Sequence, residues 1–336
     1  MNNVKIIAEA GVNHNGDPAL AHELIDSAVT SGADVIKFQT FRSTDVMTAQ
    51  APKAAYQKKR TGGNDSQLDM VRKLELSEDV FISLNRHCKQ KGIEFLSTPF
   101  DMPSIAFLQS LDMTHWKIPS GEITNLPYLR TIGALNRNLY LSTGMATLGE
   151  VEEALNILEH FGTPLNKIIV MHCTTEYPAP MEEVNLRAMN TMRCAFPSIS
   201  GVGYSDHTIG IEVAIAAVSM GACVIEKHFT LDSSMEGPDH KASIEPCDFK
   251  QLVTAVRNIE MALGGGVKRP TKTELANRAV ARKSLVASRE IQEGELFAED
   301  NITAKRPGTG ISPMLWDQFI GKPARKNFKV DELLYL

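Results

Sequence analysis

Charged and hydroxyl side chains recur in this chain at one kind of place, the ends of short apolar runs. In order they are Glu9; Lys37 and Gln39; Ser97 and Thr98; Lys117 and Ser120; Ser142 and Thr143; His172 and Thr175; Ser205, Asp206 and His207; and Lys227 and His228. A strand that merely stops finishes in turn formers such as Gly, Asn or Asp. Lysine or histidine at the mouth of a buried strand is costly unless paired or used. Taken singly, Lys37 also reads as a lysine that snorkels to solvent, and the small hydroxyl residues as turn formers. As a series, they read as a site. Two ammonium groups (Lys37, Lys117) with Thr98, Ser120 and Ser142 suit a phosphate and a carboxylate on one small molecule. The Ser142-Thr143-Gly144-Met145 segment stands just ahead of a helical pattern, where backbone N–H groups favour anions.

His207 and His228 close the seventh and eighth runs. Two neutral imidazoles on adjacent strands suit a divalent ion with positions left for water and substrate; manganese, zinc and iron(II) all fit such a pair. Asp206 stands ready as an orienting partner. Glu9 suits a metal ligand, a general base or an anchor for a substrate hydroxyl. Asp239, in Met235-Glu236-Gly237-Pro238-Asp239-His240-Lys241, reads equally as a sugar ligand or a turn former. His14, between Asn13 and Asn15, reads equally as a structural turn residue. The cysteines show no partnered nucleophile pattern.

These residues need elements to hold them. β-Branched runs recur at 5–8, 34–38, 94–96, 115–118, 138–141, 167–171, 201–203 and 223–226. Amphipathic helical patterns lie between, clearest at 18–31, 77–91, 148–161 and 246–263. In the first helix Leu20, Leu24, Ala28 and Val29 form the apolar stripe. Eight such units predict an α/β fold of the (β/α)8 TIM-barrel type, whose active site sits at the C-terminal ends of the strands. A doubly wound sheet is disfavoured because the first turn, Ala10-Gly11-Val12-Asn13-His14-Asn15-Gly16, is not the glycine fingerprint of such folds. The segment 42–76 is far longer than an ordinary βα loop and reads as a lid or binding loop, with a short helix at 67–74. Gly264-Gly265-Gly266 and Pro270 mark a change of character. The expected organisation is a catalytic barrel over 1–265, a linker over 266–283 and a small β-rich domain over 284–336.

Net charge of −5 gives no whole-molecule basic field, which argues against nucleic acid as partner. Five scattered cysteines without a C-x-x-C pair read as reduced thiols of a cytoplasmic protein. No signal-peptide layout opens the chain, and the most apolar stretch, 213–225, is too short to span a bilayer.

Together the motifs resemble the sialic acid (nonulosonate) synthase family. They are Ala8-Glu9-Ala10-Gly11-Val12-Asn13-His14-Asn15-Gly16, Lys37-Phe38-Gln39-Thr40, Ser97-Thr98-Pro99-Phe100, Lys117-Ile118-Pro119-Ser120-Gly121-Glu122, Ser142-Thr143-Gly144-Met145, Gly203-Tyr204-Ser205-Asp206-His207-Thr208, Glu226-Lys227-His228-Phe229 and Gly237-Pro238-Asp239-His240. The tail resembles the antifreeze-like (SAF) domain that these enzymes carry. The resemblance implies condensation of phosphoenolpyruvate with an N-acetylated mannose-type hexose and release of phosphate. It places Lys37, Thr98, Lys117, Ser120, Ser142, Thr175 and Ser205 on phosphoenolpyruvate. His207 and His228 fall on Mn2+, Mg2+ or another divalent ion. Gln39, Glu122, Tyr177, Asp239 and Arg306 fall on the sugar. Glu9, Lys37, Lys117 and Glu122 become the catalytic candidates. A domain-swapped homodimer is implied too, with Arg306 reading the N-acyl group in the partner's barrel. Thr175-Glu176 before Tyr177, with Asn64-Asp65-Ser66-Gln67, is more similar to the legionaminic acid branch, whose acceptor is 2,4-diacetamido-2,4,6-trideoxymannose, than to synthases using N-acetylmannosamine. The rival classes are a metal-dependent barrel hydrolase, in which two mouth lysines have no evident work, and a non-enzymatic carbohydrate-binding protein.

Overall fold

A computed structural model describes residues 3–48, 50–52 and 66–335. The chain forms two compact units, Met1–Gly264 and Gly265–Leu336. Asn64 and Asp65, part of the stretch more similar to the legionaminic acid branch, lie outside the described residues.

In the first unit eight parallel strands run in the order β3-β2-β1-β8-β7-β6-β5-β4, a nearly closed barrel. They are β1 (Lys5–Gly11), β2 (Val35–Thr40), β3 (Glu94–Pro99), β4 (His115–Ile118), β5 (Asn138–Ser142), β6 (Ile168–His172), β7 (Gly201–Asp206) and β8 (Val224–His228). Several run further than the sequence suggests: β1, β3, β7 and β8 continue through the polar residues taken for loop starts. Ladder hydrogen bonds use only backbone groups, so an inward Glu, Lys or Ser does not end a strand. Glu9, Lys37, Gln39, Thr98, Lys117, Ser142, Ser205 and His228 therefore stand on the strands themselves.

Helices cover the outer face, and their ends are written locally. Pro18–Ser31 starts on Asp17, whose carboxylate accepts from the Ala19 N–H at 2.8 Å, and stops at Gly32 in the left-handed region. It buries Ala21, Leu24, Ile25 and Ala28. Leu20 and Val29, expected on that stripe, are only half-buried, so the buried face is turned slightly from the expected one. Leu148–His160 opens with a capping box between Thr147 and Glu150. The described ends of the long insertion form two short helices, Ser43–Val46 and Gln67–Arg72.

The second unit has its own core, built from Leu285, Ile291, Phe297, Ile302, Phe319, Phe328 and Leu334 around the antiparallel pair β9 (Ser284–Ala287) and β10 (Ile302–Lys305). The stretch read as a linker holds a helix, Lys272–Ala281, opened by a Thr271–Glu274 capping box, which buries no residue. Among the described residues no helix is long and apolar enough to cross a membrane.

Candidate active site

The strand period of two decides which strand-end residues share the barrel lumen. On β8, Glu226 and His228 share one face and Lys227 takes the other. On β7, Ser205 lies opposite Glu226 and Asp206 opposite Lys227. The lumen side gathers a buried quartet: Glu9, Lys37, Lys117 and Glu226, each no more than 4% exposed. Lys37 Nζ lies 2.5 Å from Glu9 Oε2 and 3.6 Å from Glu226 Oε2, and donates to Thr98 Oγ1 at 3.2 Å. Lys117 Nζ meets both Glu226 oxygens, at 2.9 and 2.7 Å. Ser205 Oγ donates to Glu226 Oε1 at 2.9 Å.

Two carboxylates and two ammoniums balance in charge, but their positions make them unequal. Burial pushes the Glu9 carboxyl up to about 7, against the pull of Lys37 and with added repulsion from Glu226. Burial acts on Glu226 in the same direction. There the ammoniums of Lys117 and Lys37, with hydrogen bonds from Lys117 and Ser205, outweigh it and hold the carboxyl well below its usual range. Lys37 is held above its usual value, since Glu226 and Glu9 together overcome burial. Burial, aided by repulsion from Lys37, lowers Lys117 despite Glu226. The site thus has a firm anion, Glu226, and a carboxyl near neutrality, Glu9, suited to proton transfer at physiological pH.

Ser120, Cys173 and Thr175 pack around Gly144 at the β4, β5 and β6 exits. The Gly144 N–H donates to Ser120 Oγ at 2.9 Å, and Ser120 Oγ lies 3.3 Å from Cys173 Sγ. A Cβ on Gly144 would sit 2.3 Å from Thr175 Oγ1 and 2.9 Å from Ser120 Oγ. Thr175 Oγ1 is buried and has no hydrogen-bond partner among the described residues, so it stands ready for one. Ser142 is buried beside this cluster at the end of β5.

His207 and His228 face one another with ring centroids 5.4 Å apart, and the Tyr177 ring packs 4.3 Å from the first and 5.5 Å from the second. His207 Nδ1 lies 2.6 Å from the Thr174 carbonyl, which only a proton on Nδ1 can satisfy; the lone pair therefore sits on Nε2. Burial lowers His207 to about 4 and His228 well below its usual value, so both imidazoles are neutral. His228 Nδ1 is buried without a hydrogen-bond partner, 3.9 Å from Asp239 Oδ2. Neutral rings, one with its lone pair on Nε2, 3.3 Å from Ser205 Oγ, and the other with a nitrogen that has no hydrogen-bond partner among the described residues, fit a divalent ion. No cluster of three or more His, Cys, Asp or Glu suited to a metal occurs among the described residues, so the remaining ligands would come from water or substrate. Gln39 donates to Glu9 Oε1 at 3.3 Å, and Gln39, Tyr177, His228 and Asp239 line one cavity of about 280 Å³.

Some expected placements change. Asp206 does not orient the histidines. It faces the outer layer, accepts from Lys227 Nζ at 2.7 Å, and takes the Thr208 N–H and hydroxyl at 3.0 and 2.7 Å. Lys227 is thereby spent on structure, completed by the Thr208 carbonyl at 2.8 Å. Ser97 is likewise off the site, 2.6 Å from Thr40 Oγ1. Glu122 is half-buried on a 3-10 turn, where its carboxylate accepts from Asn125 at 2.5 Å. Arg306 belongs to the second unit, where its Nε donates to the Ala281 carbonyl at 3.0 Å. Glu226 was missed as a site residue; its two-residue spacing from His228 places it on the same strand face and is the signal that finds it.

Known proteins resemble this chain in sequence and fold. The NeuB family profile matches residues 24–268 and the SAF domain profile residues 282–336. The N,N'-diacetyllegionaminic acid synthase of Campylobacter jejuni is 54% identical over 99% of both chains. The protein of that name in Legionella pneumophila is 45% identical over 98% of this chain and 92% of its own. Among solved structures, the N-acetylneuraminic acid synthetase of Leptospira borgpetersenii superposes with a TM-score of 0.72 at 34% identity, covering 82% of this chain and 90% of that one. With its profile matched over most of the barrel and such relatives along its full length, the chain belongs to the NeuB family of sialic acid synthases and carries a SAF domain.

Proposed function

We propose that this chain condenses phosphoenolpyruvate with 2,4-diacetamido-2,4,6-trideoxymannose, giving N,N'-diacetyllegionaminate and phosphate. The observation that carries the reading is the buried Glu9–Lys37–Glu226–Lys117 quartet with Ser205, Thr98 and the Gly144 cluster around it. The choice of acceptor is supported by the two legionaminic acid synthase relatives and by Thr175-Glu176 ahead of Tyr177.

Phosphoenolpyruvate brings a carboxylate and a phosphate into a lumen where Lys37 and Lys117 already stand in fixed geometry. Thr98, Ser120, Ser142, Thr175, Ser205 and the Gly144 segment supply the neutral donors. Glu226 holds both lysines in place before the substrate arrives and keeps them from collapsing elsewhere. The enol carbon of phosphoenolpyruvate attacks the open-chain aldehyde carbon, and positive charge develops at the carbon bearing the phosphate. Water adds at that carbon. Glu9, near neutrality in its pKa, takes one proton of that water, and the former aldehyde oxygen takes up a proton to become the new hydroxyl. The tetrahedral centre then expels phosphate by carbon–oxygen cleavage, its remaining hydroxyl proton leaving with the phosphate as the keto group forms. Gln39 holds Glu9 in orientation, while Tyr177 and Asp239 bind sugar hydroxyls. A Mn2+ or related ion held by His207 and His228 would act as a Lewis acid on the aldehyde oxygen.

The active form is a homodimer in which Arg306 of one chain reads the N-acyl group in the partner's barrel. In support, the Lys272–Ala281 helix leaves Leu275 and Val280 exposed as apolar surface for a second copy. The five cysteines, all free, suit a reducing cytoplasm. Incubation with Mn2+, phosphoenolpyruvate and each candidate sugar tests the proposal. Phosphate release with a product mass equal to the diacetylated nonulosonate supports it. Preference for N-acetylmannosamine would make the chain a neuraminate synthase instead.

A further inference from the structure

The cavity lined by Gln39, Tyr177, His228 and Asp239 has a second wall of different character. Val46, Met47, Met70, Val71, Leu74 and Phe100 line it, and none of these side chains carries a strong hydrogen-bonding group. Leu74 belongs to a small buried core with Val12 and Phe41, against which Val46, Val71 and Phe100 pack. That core lies apart from the main barrel core. Most of this wall comes from the described ends of the long insertion after β2, which supply Val46, Met47, Met70, Val71 and Leu74.

The wall is held by specific bonds. The Arg42 N–H donates to Asp101 Oδ2 at 2.7 Å and the Ser43 N–H to Glu75 Oε2 at 2.9 Å. The chain after Gln67–Arg72 presses so closely on the β1 exit that a Cβ on Gly16 would sit 2.3 Å from the Lys73 carbonyl oxygen. The described ends of the insertion are therefore docked on the barrel mouth as part of the pocket.

We infer that this apolar wall is the specificity element of the site, receiving the deoxygenated, methyl-bearing end of the acceptor sugar. The inference rests on the function proposed above. One side of a single cavity offers the carboxamide, phenol, imidazole and carboxylate needed near the reacting aldehyde and hydroxyls. The facing side offers only methyl, thioether and aromatic surface. A hexose whose far end is a methyl group buries it there at no cost in hydrogen bonds, whereas a hydroxymethyl group loses its water and finds no partner. The volume of about 280 Å³ suits one end of such a sugar, with the remainder reaching toward His207 and His228.

The test compares 2,4-diacetamido-2,4,6-trideoxymannose with its 6-hydroxy counterpart, 2,4-diacetamido-2,4-dideoxymannose, following phosphate release with phosphoenolpyruvate and Mn2+. The wild-type chain is expected to favour the deoxy sugar in kcat/KM by about 10- to 100-fold, the range in which an apolar pocket discriminates against an added hydroxyl. Val71→Thr, close in shape but carrying a hydroxyl, should shrink that ratio several-fold, mainly by improving the 6-hydroxy acceptor, with KM for phosphoenolpyruvate unchanged. Met70→Gln should do the same, and serves if Val71→Thr does not fold. Equal kcat/KM for the two sugars in the wild type, or a ratio that neither variant alters, would overturn the inference while leaving the synthase reading intact. Absence of phosphate release with both sugars would instead overturn the parent reading.

Discussion

Gly144 has no room for a side chain, because Thr175, Ser120 and Cys173 close around it. Gly144→Ala must displace Thr175 Oγ1 or Ser120 Oγ, both placed here on phosphoenolpyruvate. A shift of that kind, on the order of 1 Å, costs about 10²-fold in catalysis. Steady-state kinetics should show that loss in kcat/KM for phosphoenolpyruvate while the melting temperature stays close to wild type. Glu9→Gln removes the one carboxyl near neutrality and should lower kcat by about 10²- to 10⁴-fold, with phosphoenolpyruvate binding retained; unchanged turnover would remove Glu9 from the chemistry. His207→Ala and His228→Ala should each abolish Mn2+ binding measured by calorimetry on the isolated protein, a readout independent of turnover. At this scale residue types were readable in sequence but partners were not. Lys37, Lys117 and the histidine pair announce themselves at the ends of apolar runs. Glu226 hides two residues inside its strand, where a carboxylate looks like an ordinary boundary residue.

Among the elements, β7 and β8 carry the site on one face and a structural clamp on the other. Asp206, Lys227 and Thr208 form a buried network behind His207, and it fixes the path of the chain just past that residue. Lys227→Met leaves Asp206 as a buried charge without its ammonium partner and should destabilise the fold by about 3–5 kcal/mol, read as a fall in the denaturant midpoint. A change below 1 kcal/mol would mean that water reaches Asp206. Strand and helix order was legible because β-branched runs and apolar helical stripes alternate so regularly, and the 246–263 helix matches its pattern at both ends. Strand ends were less legible, since inward polar residues imitate loops. The assignment of Asp206 to the histidines failed for a related reason. Adjacent residues on a strand point to opposite faces, so a neighbour in sequence is the wrong place to look for an orienting partner. The helix inside the supposed linker follows its Thr271–Glu274 capping box, a local signal that the glycine run and Pro270 overshadowed.

Across the whole molecule, burial holds His14, His172, His207, His228 and His240 below the ordinary histidine value, His14 and His207 at about 4. A folded-state pKa depressed below the unfolded value means that the native chain binds fewer protons between the two. Stability is therefore present above the unfolded value near 6.5 and is lost as pH falls through that window toward 4. Glu9, pushed up to about 7, acts in the opposite sense over part of the window, but it is one group against several. Chelator-treated protein should melt at a lower temperature at pH 5 than at pH 7; an equal or higher midpoint at pH 5 would contradict the neutral, buried state of these rings. The two-unit division has a clear physical basis, since the small unit closes its own apolar core around Phe297, Phe319 and Phe328.

On the function proposed here, the buried quartet and its histidine pair join phosphoenolpyruvate to an N-acetylated deoxy-hexose. The most direct test is phosphate release by purified chain with Mn2+, phosphoenolpyruvate and 2,4-diacetamido-2,4,6-trideoxymannose, coupled to mass spectrometry of the product. Stoichiometric phosphate with a diacetylated nonulosonate is the expected result, and it should disappear in Lys117→Ala. No phosphate above the sugar-free control, from protein shown to be folded and to bind Mn2+, would contradict the account.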